Sequence, residues 1–199
     1  MSHLLLFPGA GAGRDQATLV RLEREVGPSW TTVRADFPYR KEGRRAPDRP
    51  PKLMAAVRDE LAAIDDDVIV AGGRSMGGRM CSMVAGGADG EPPPTTLRGL
   101  ALISYPLHPP GKPEALRVEH LPAIDVPCLF VHGTSDPFGT PDELERWTVT
   151  IPAPVTHHWI AGGRHDLKGK DAEVAATVKA WLTALPKPRS GRGRSRIRD

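Results

Sequence analysis

Cysteine is scarce in this chain. Its 199 residues hold two, Cys81 and Cys128, and both fall in apolar runs that read as buried elements. They serve as small apolar fillers, which argues against a disulfide framework or a cysteine-built metal centre. No metal and no cofactor is expected. Long apolar runs are missing too: no stretch approaches the roughly 20 residues a membrane span requires. Met1-Ser2-His3 places no Lys or Arg ahead of Leu4–Phe7, and that run stops at Pro8, so it does not read as a secretory signal. A cytoplasmic protein without a membrane partner is the expectation.

Two nucleotide patterns lack a required residue. The loop Pro8-Gly9-Ala10-Gly11-Ala12-Gly13 has no Gly-Lys-Ser/Thr ending, which removes a Walker loop. Arg14 and Gln16 stand where a dinucleotide fingerprint needs its third glycine. Acidic residues are nearly absent from one end. After Pro186 the chain carries six of its 27 Lys and Arg and one of its 24 Asp and Glu. The rest is near neutral, so the net charge of +3 belongs to the tail. That tail, 187–199, has the composition of a disordered segment. Its charge could attract nucleic acid, but no aromatic interleaves it for base stacking.

What the chain does contain is organised around Val68-Ile69-Val70-Ala71-Gly72-Gly73-Arg74-Ser75-Met76-Gly77-Gly78-Arg79-Met80. A β-branched run ends abruptly at a serine hemmed in by glycines, and a helix-compatible segment follows. Gly73 to Gly77 fits G-x-S-x-G, the nucleophile elbow. The turn is too sharp for side chains on either flank. It aims the serine oxygen out of the sheet, above a helix N-terminus whose free N–H groups suit a developing oxyanion. The plainer alternative is a Gly-rich turn whose serine only caps the helix.

The remaining pattern alternates strand and helix. Leu4–Phe7, Thr31–Asp36, the run before Ser75, Leu100–Ile103, Cys128–Val131 and Val155–Ile160 read as six strands. Leu19, Leu22 and Val26 stripe a helix that Asp15 could cap, and Gly27-Pro28 ends it. Residues 37–51 read as a long Arg- and Pro-rich loop. Leu53, Val57, Leu61 and Ile64 mark the next helix, with Asp65-Asp66-Asp67 as its exit. The elbow helix runs to Gly86-Gly87. Thr140-Pro141-Asp142-Glu143 is a capping box. Val174, Val178, Trp181 and Leu185 stripe a last helix, stopped by Pro186. Such alternation predicts one α/β domain over 1–186: about six mostly parallel strands flanked by helices, without a lid domain, followed by the basic tail 187–199.

Sites in such sheets lie beyond the carboxyl ends of the strands. There the sequence supplies Ser75, Asp136 and His165, in the order of an α/β-hydrolase triad. A serine hydroxyl needs an imidazole to take its proton, and the imidazole needs a carboxylate on its other nitrogen. His132 precedes the acid and reads as packing or orienting its loop. His157 and His158 lie inside a strand, and Asp166 adjoins His165 too closely to fold back onto it. The oxyanion donors are expected from Met76 and from Ala10, with Gly11 second. Arg74 and Tyr105 are candidate substrate contacts. Arg74 and Arg79 flank the elbow and would favour an acidic substrate, unless they form structural ion pairs.

Leu6-Phe7-Pro8-Gly9-Ala10-Gly11, Gly72–Arg79, Tyr105–Pro113 and Gly133–Gly139 together resemble a family of small α/β-hydrolase-like proteins related to the dienelactone hydrolases. That family includes a testis-expressed animal protein and a subunit of a chromatin-acetylating complex. The resemblance spans nearly the whole chain to Pro186. It implies an α/β-hydrolase fold and carries Ser75, Asp136 and His165 over as the triad. Members often have a His where this chain has Pro8, which leaves only backbone donors there. Dienelactone hydrolases proper use a Cys nucleophile; Ser75 implies ordinary ester hydrolysis, with small-molecule esters as substrates. The alternative class is a binding or scaffold protein that keeps the fold without turnover.

Overall fold

The computed structural model describes residues 2–66 and 68–185. The expected Pro186 helix stop, Asp67 and the basic tail lie outside the described residues. Six strands form one parallel sheet: β1 (His3–Phe7), β2 (Thr31–Arg34), β3 (Ile69–Arg74), β4 (Leu97–Ile103), β5 (Cys128–Gly133) and β6 (Val155–Ile160). Their order across the sheet is β2-β1-β3-β4-β5-β6. The helices are α1 (Ala17–Val26), α2 (Pro38–Lys41), α3 (Pro50–Ala62), α4 (Met76–Ala85), α5 (Pro141–Thr148) and α6 (Asp171–Ala184).

The continuous apolar runs follow from burial on both faces. Along β1, Leu4 and Leu6 point into one layer with Leu19 and Leu22 of α1 and Val174 and Val178 of α6. Leu5 and Phe7 point into the other, with Leu53 and Val57 of α3 and Met80 and Val84 of α4. All four β1 side chains are fully buried; burial of this kind stabilises by about 1.5–3 kcal/mol per side chain. The winding reverses at β1, which has β2 on one side and β3 on the other. Such a reversal opens a crevice at the carboxyl ends of the two central strands, and here those strands end at Phe7 and Arg74.

Several local expectations need correction. Asp15 does not cap α1. The N-cap is Gln16, with no side-chain cap bond, and the Asp15 carboxylate instead accepts from Arg34 Nη1 at 2.8 Å. A cation on the neighbouring strand outcompetes the local N–H. The 37–51 segment is not all loop. Phe37 and Tyr39 are buried and stack in a row on Phe7, which folds Pro38–Lys41 into a helical turn. Helix α3 already begins at Pro50, because two prolines suit first-turn positions that have no intrahelical acceptor. It ends at Ala62, two residues before Ile64, so Asp65 and Asp66 follow the helix rather than occupy its last turn. Asp66 there accepts from His3 Nδ1 at 3.2 Å. Strand β2 stops at Arg34, β4 starts at Leu97 rather than Leu100, and β5 continues through His132 to Gly133.

The capping box on α5 is complete. Thr140 Oγ1 accepts from Glu143 N–H, and the Glu143 carboxylate accepts from Thr140 N–H. The β4–β5 connection, 104–127, contains one 3-10 turn, Leu121–Ala123, and its Pro106 and Arg117 rim the crevice. No described helix is long and apolar enough to cross a membrane.

Candidate active site

The β3–α4 turn is built by close backbone approach. Gly73 has φ 140°, and a Cβ there would run into the Phe7 carbonyl of the adjacent strand. A Cβ on Gly77 would meet the same carbonyl. Between them Ser75 adopts φ 48° and ψ −113°, a conformation disfavoured for a residue with a side chain. The surrounding bonds hold it there: Ser75 N–H donates to Ile103 C=O at 2.8 Å, and Ser75 C=O accepts from Arg79 N–H at 3.0 Å.

The structure brings Ser75, His165 and Asp136 into one hydrogen-bonded chain. Ser75 Oγ lies 2.8 Å from His165 Nε2. His165 Nδ1 lies 2.8 and 3.0 Å from the two Asp136 oxygens. A carboxylate only accepts, so Nδ1 donates, and in the neutral ring Nε2 is left to accept the serine proton. The Asp136 carboxylate is fully buried, and its Oδ1 also accepts from Phe138 N–H at 2.9 Å. Phe138 covers the His165 ring, centroid to centroid at 3.9 Å.

Beneath the acid, buried His132 donates from Nε2 to Gly139 C=O at 2.9 Å and lies 3.3 Å from Asp136 Oδ2. Burial holds its pKa below the ordinary value. His132 thus ties the two ends of the Asp136 loop together. His157 is turned away from this chain. It bonds Thr148 Oγ1 at 2.9 Å and stacks on Trp159. His158 pairs with Glu173.

The other candidates divide. Ala10 and Met76 line a pocket of about 520 Å³ together with Ser75 and His165. Met76 is the first residue of α4, where an N–H has no intrahelical acceptor. Gly11 N–H is engaged, donating to Tyr39 Oη at 3.1 Å. Tyr105 is not brought to the pocket. It is 1 % exposed and donates its hydroxyl to Arg117 C=O at 2.8 Å. Arg74 lines the pocket but is tied into the wall. Its guanidinium donates to the His165 carbonyl and, at 3.2 Å, to Thr18 Oγ1. Thr18 in turn donates to Asp171 Oδ1 at 2.6 Å. Burial pushes the Arg74 pKa down.

Sequence reasoning missed Gln16, whose Oε1 accepts from Gly9 N–H at 3.0 Å and fixes the first loop. It also missed Phe138 and Arg117, for which no local signal exists. The cysteines are far from reactive: burial pushes the Cys128 thiol to about 12 and the Cys81 thiol up as well. Among the described residues no group of His, Cys, Asp and Glu is arranged to hold a metal ion.

A parallel sheet with a reversal at its centre, and a strained serine at the end of β3, define the hydrolase-type α/β architecture. Residues 1–186 match the alpha/beta hydrolase domain family, and the chain belongs to it. Solved structures of similar fold include Est1E from Butyrivibrio proteoclasticus with ferulic acid bound. That match has 16% identity, a TM-score of 0.74 and coverage of 93% of this chain and 89% of that one. An alpha-beta serine hydrolase homologue from Coxiella burnetii matches at 17% identity, TM-score 0.69, over 91% and 85% of the two chains. RedJ, a thioesterase from the prodiginine pathway of Streptomyces coelicolor, matches at 20% identity, TM-score 0.66, over 93% and 90%.

Proposed function

We propose that this chain is a serine hydrolase that cleaves small carboxylic esters through an acyl-enzyme on Ser75. The observation that carries the reading is the unbroken bond chain from Ser75 Oγ through both His165 nitrogens to a buried carboxylate. Ser75 Oγ attacks the ester carbonyl carbon while His165 Nε2 takes its proton. Asp136 holds the tautomer and stabilises the imidazolium. The oxyanion is received by the N–H groups of Met76 and Ala10, residues of different elements that both line the pocket. The intermediate collapses by breaking the bond to the alcohol, which leaves with the proton returned from His165. Water then attacks the acyl carbonyl with His165 again as base, the acid departs, and the serine regains its proton.

Substrate size follows from the walls. A pocket of about 520 Å³ rimmed by Pro106 and Arg117 of the β4–β5 connection suits small or flexible esters. The sequence resemblance to dienelactone hydrolases, with Ser75 where they carry cysteine, supports ordinary ester chemistry. Two buried, unpaired thiols fit a reducing, cytoplasmic setting. The decisive experiment is labelling with a fluorophosphonate probe and mapping the adduct by mass spectrometry. The expected adduct is on Ser75; an unlabelled Ser75 in folded protein would remove the reading.

A further inference from the structure

Arg79 stands in the first turn of α4, where a cation opposes the positive end of the helix. It is half-buried, and burial pushes its guanidinium pKa below the usual value against the weaker opposing pull of Tyr105 and of exposed Glu119. Such a group ordinarily has an ion-pair partner. Among the described residues Arg79 forms no salt bridge, and its Nε is buried without a hydrogen-bond partner. Arg117 reaches the same pocket from the β4–β5 connection. It too forms no salt bridge among the described residues, and its guanidinium donates one bond, from Nη1 to Pro106 C=O at 3.3 Å. Burial and the charge of Arg79 both push the Arg117 pKa down.

Two partly desolvated cations therefore face the cleft that holds Ser75. A carboxylate does line the pocket, but it is Asp166, exposed and adjacent to His165 in the chain. Arg74 shows what a structural arginine looks like here, with two nitrogens bonded into the wall. An unpaired like-charge pair costs stability, and that cost is offset when an anion enters between the two groups. Planar guanidinium forks match carboxylate and phosphate oxygens, and such charge-assisted bonds are strong. Arg79 lies four residues beyond the serine, about 6 Å of helix rise.

We propose that Arg79 and Arg117 form an anion clamp, and that the ester taken by this site carries an oxyanion, a carboxylate or a phosphate, within a few bonds of its scissile carbonyl. The substrate class rests on the assignment of Ser75 as nucleophile; the clamp itself does not.

The test compares 4-nitrophenyl hydrogen glutarate with neutral 4-nitrophenyl valerate on the full chain, with spontaneous hydrolysis subtracted. The expected kcat/KM ratio favours the anionic ester by about tenfold or more. In Arg79→Gln or Arg117→Gln that ratio falls by about ten- to a hundredfold, chiefly through KM. Arg79→Lys restores part of it, because charge returns without the fork. If Arg79→Gln does not fold, the loop variant Arg117→Gln carries the test. Glutarate and inorganic phosphate, each tried as a competitive inhibitor, tell the two anion types apart. Valerate-ester turnover with a wild-type ratio near one, or a ratio unchanged in the folded variants, overturns the clamp and leaves the hydrolase assignment standing. Absence of turnover together with an unlabelled Ser75 sinks that assignment instead. Calorimetry with glutarate and phosphate then decides the clamp alone. Binding weakened about tenfold in Arg117→Gln supports it, and no binding to the wild-type protein overturns it.

Discussion

The two sides of Ser75 are built on opposite plans. Toward β5 and β6, the polar groups that meet the serine are engaged. His165 is bonded at both nitrogens, Asp136 takes bonds from His165 and Phe138, and Arg74 is anchored to Thr18 and the His165 carbonyl. Toward α4 and the β4–β5 connection, Arg79 and Arg117 form no salt bridge among the described residues, and the carboxylate that acts on Arg79, Glu119, is exposed. In the proposed mechanism the first side is preorganised to move a proton with little rearrangement. In the proposed clamp the second is completed by an anion. A serine between a finished wall and an unfinished one is what chemistry with selectivity requires.

Breaking the finished wall has the largest effect. Ser75→Ala is expected to lower 4-nitrophenyl acetate turnover by about a million-fold, or to background, if the serine-protease pattern transfers. Asp136→Asn keeps the shape but loses the tautomer, so about ten-thousand-fold is expected. Circular dichroism should show the fold retained in both, and unchanged turnover in both would remove Ser75 from its role.

The unfinished wall is probed by acid. Under Arg79, buried His120 donates from Nε2 to Ser82 Oγ at 2.9 Å, since Ser82 gives its own proton to the Arg79 carbonyl. Burial, and then the Arg79 charge, hold the His120 pKa at about 4. An unfolded histidine titrates near 6.5, so between those values the unfolded chain binds the extra proton. The stability is therefore complete above about pH 6.5 and is lost as pH falls toward 4. The slope is about 1.4 kcal/mol per pH unit and the total about 3 kcal/mol. Urea unfolding across that window measures it. Arg79→Gln should raise the folded pKa of His120 and so make the total loss smaller, and an identical total would show that the two groups are not coupled.

The smallest effect concerns what holds the Asp136 loop from its far end. Thr140→Ala removes the α5 cap and should cost about 1 kcal/mol in the same unfolding assay, with catalysis affected far less than by Asp136→Asn.

How much was legible follows from which forces are local. Strand runs such as Leu4–Phe7 and Cys128–Val131 announced themselves because burial on both faces forces unbroken apolar sequence. Gly73 and Gly77 were legible because a backbone pressed against the Phe7 carbonyl leaves no room for a side chain. Ser75, Asp136 and His165 could be singled out because parallel sheets gather loop residues at one edge. The helical turn at Pro38–Lys41 was not legible. Its cause is tertiary, the stacking of Phe37 and Tyr39 behind Phe7. Tyr105 drew notice for its place after a strand, yet its ring points into the core. Arg117 gave no signal at all, because only folding brings it beside a residue 38 positions earlier.

The aromatic cover on His165 makes the site observable by magnetic resonance. At 3.9 Å from Phe138, against 5.0 Å for His157 over Trp159, its carbon-bound ring protons sit in a neighbour's shielding cone. Those carbon-bound protons should be shifted upfield of an unstacked histidine, and replacing Phe138 by Leu should return them, so the ring can be followed in a proton spectrum.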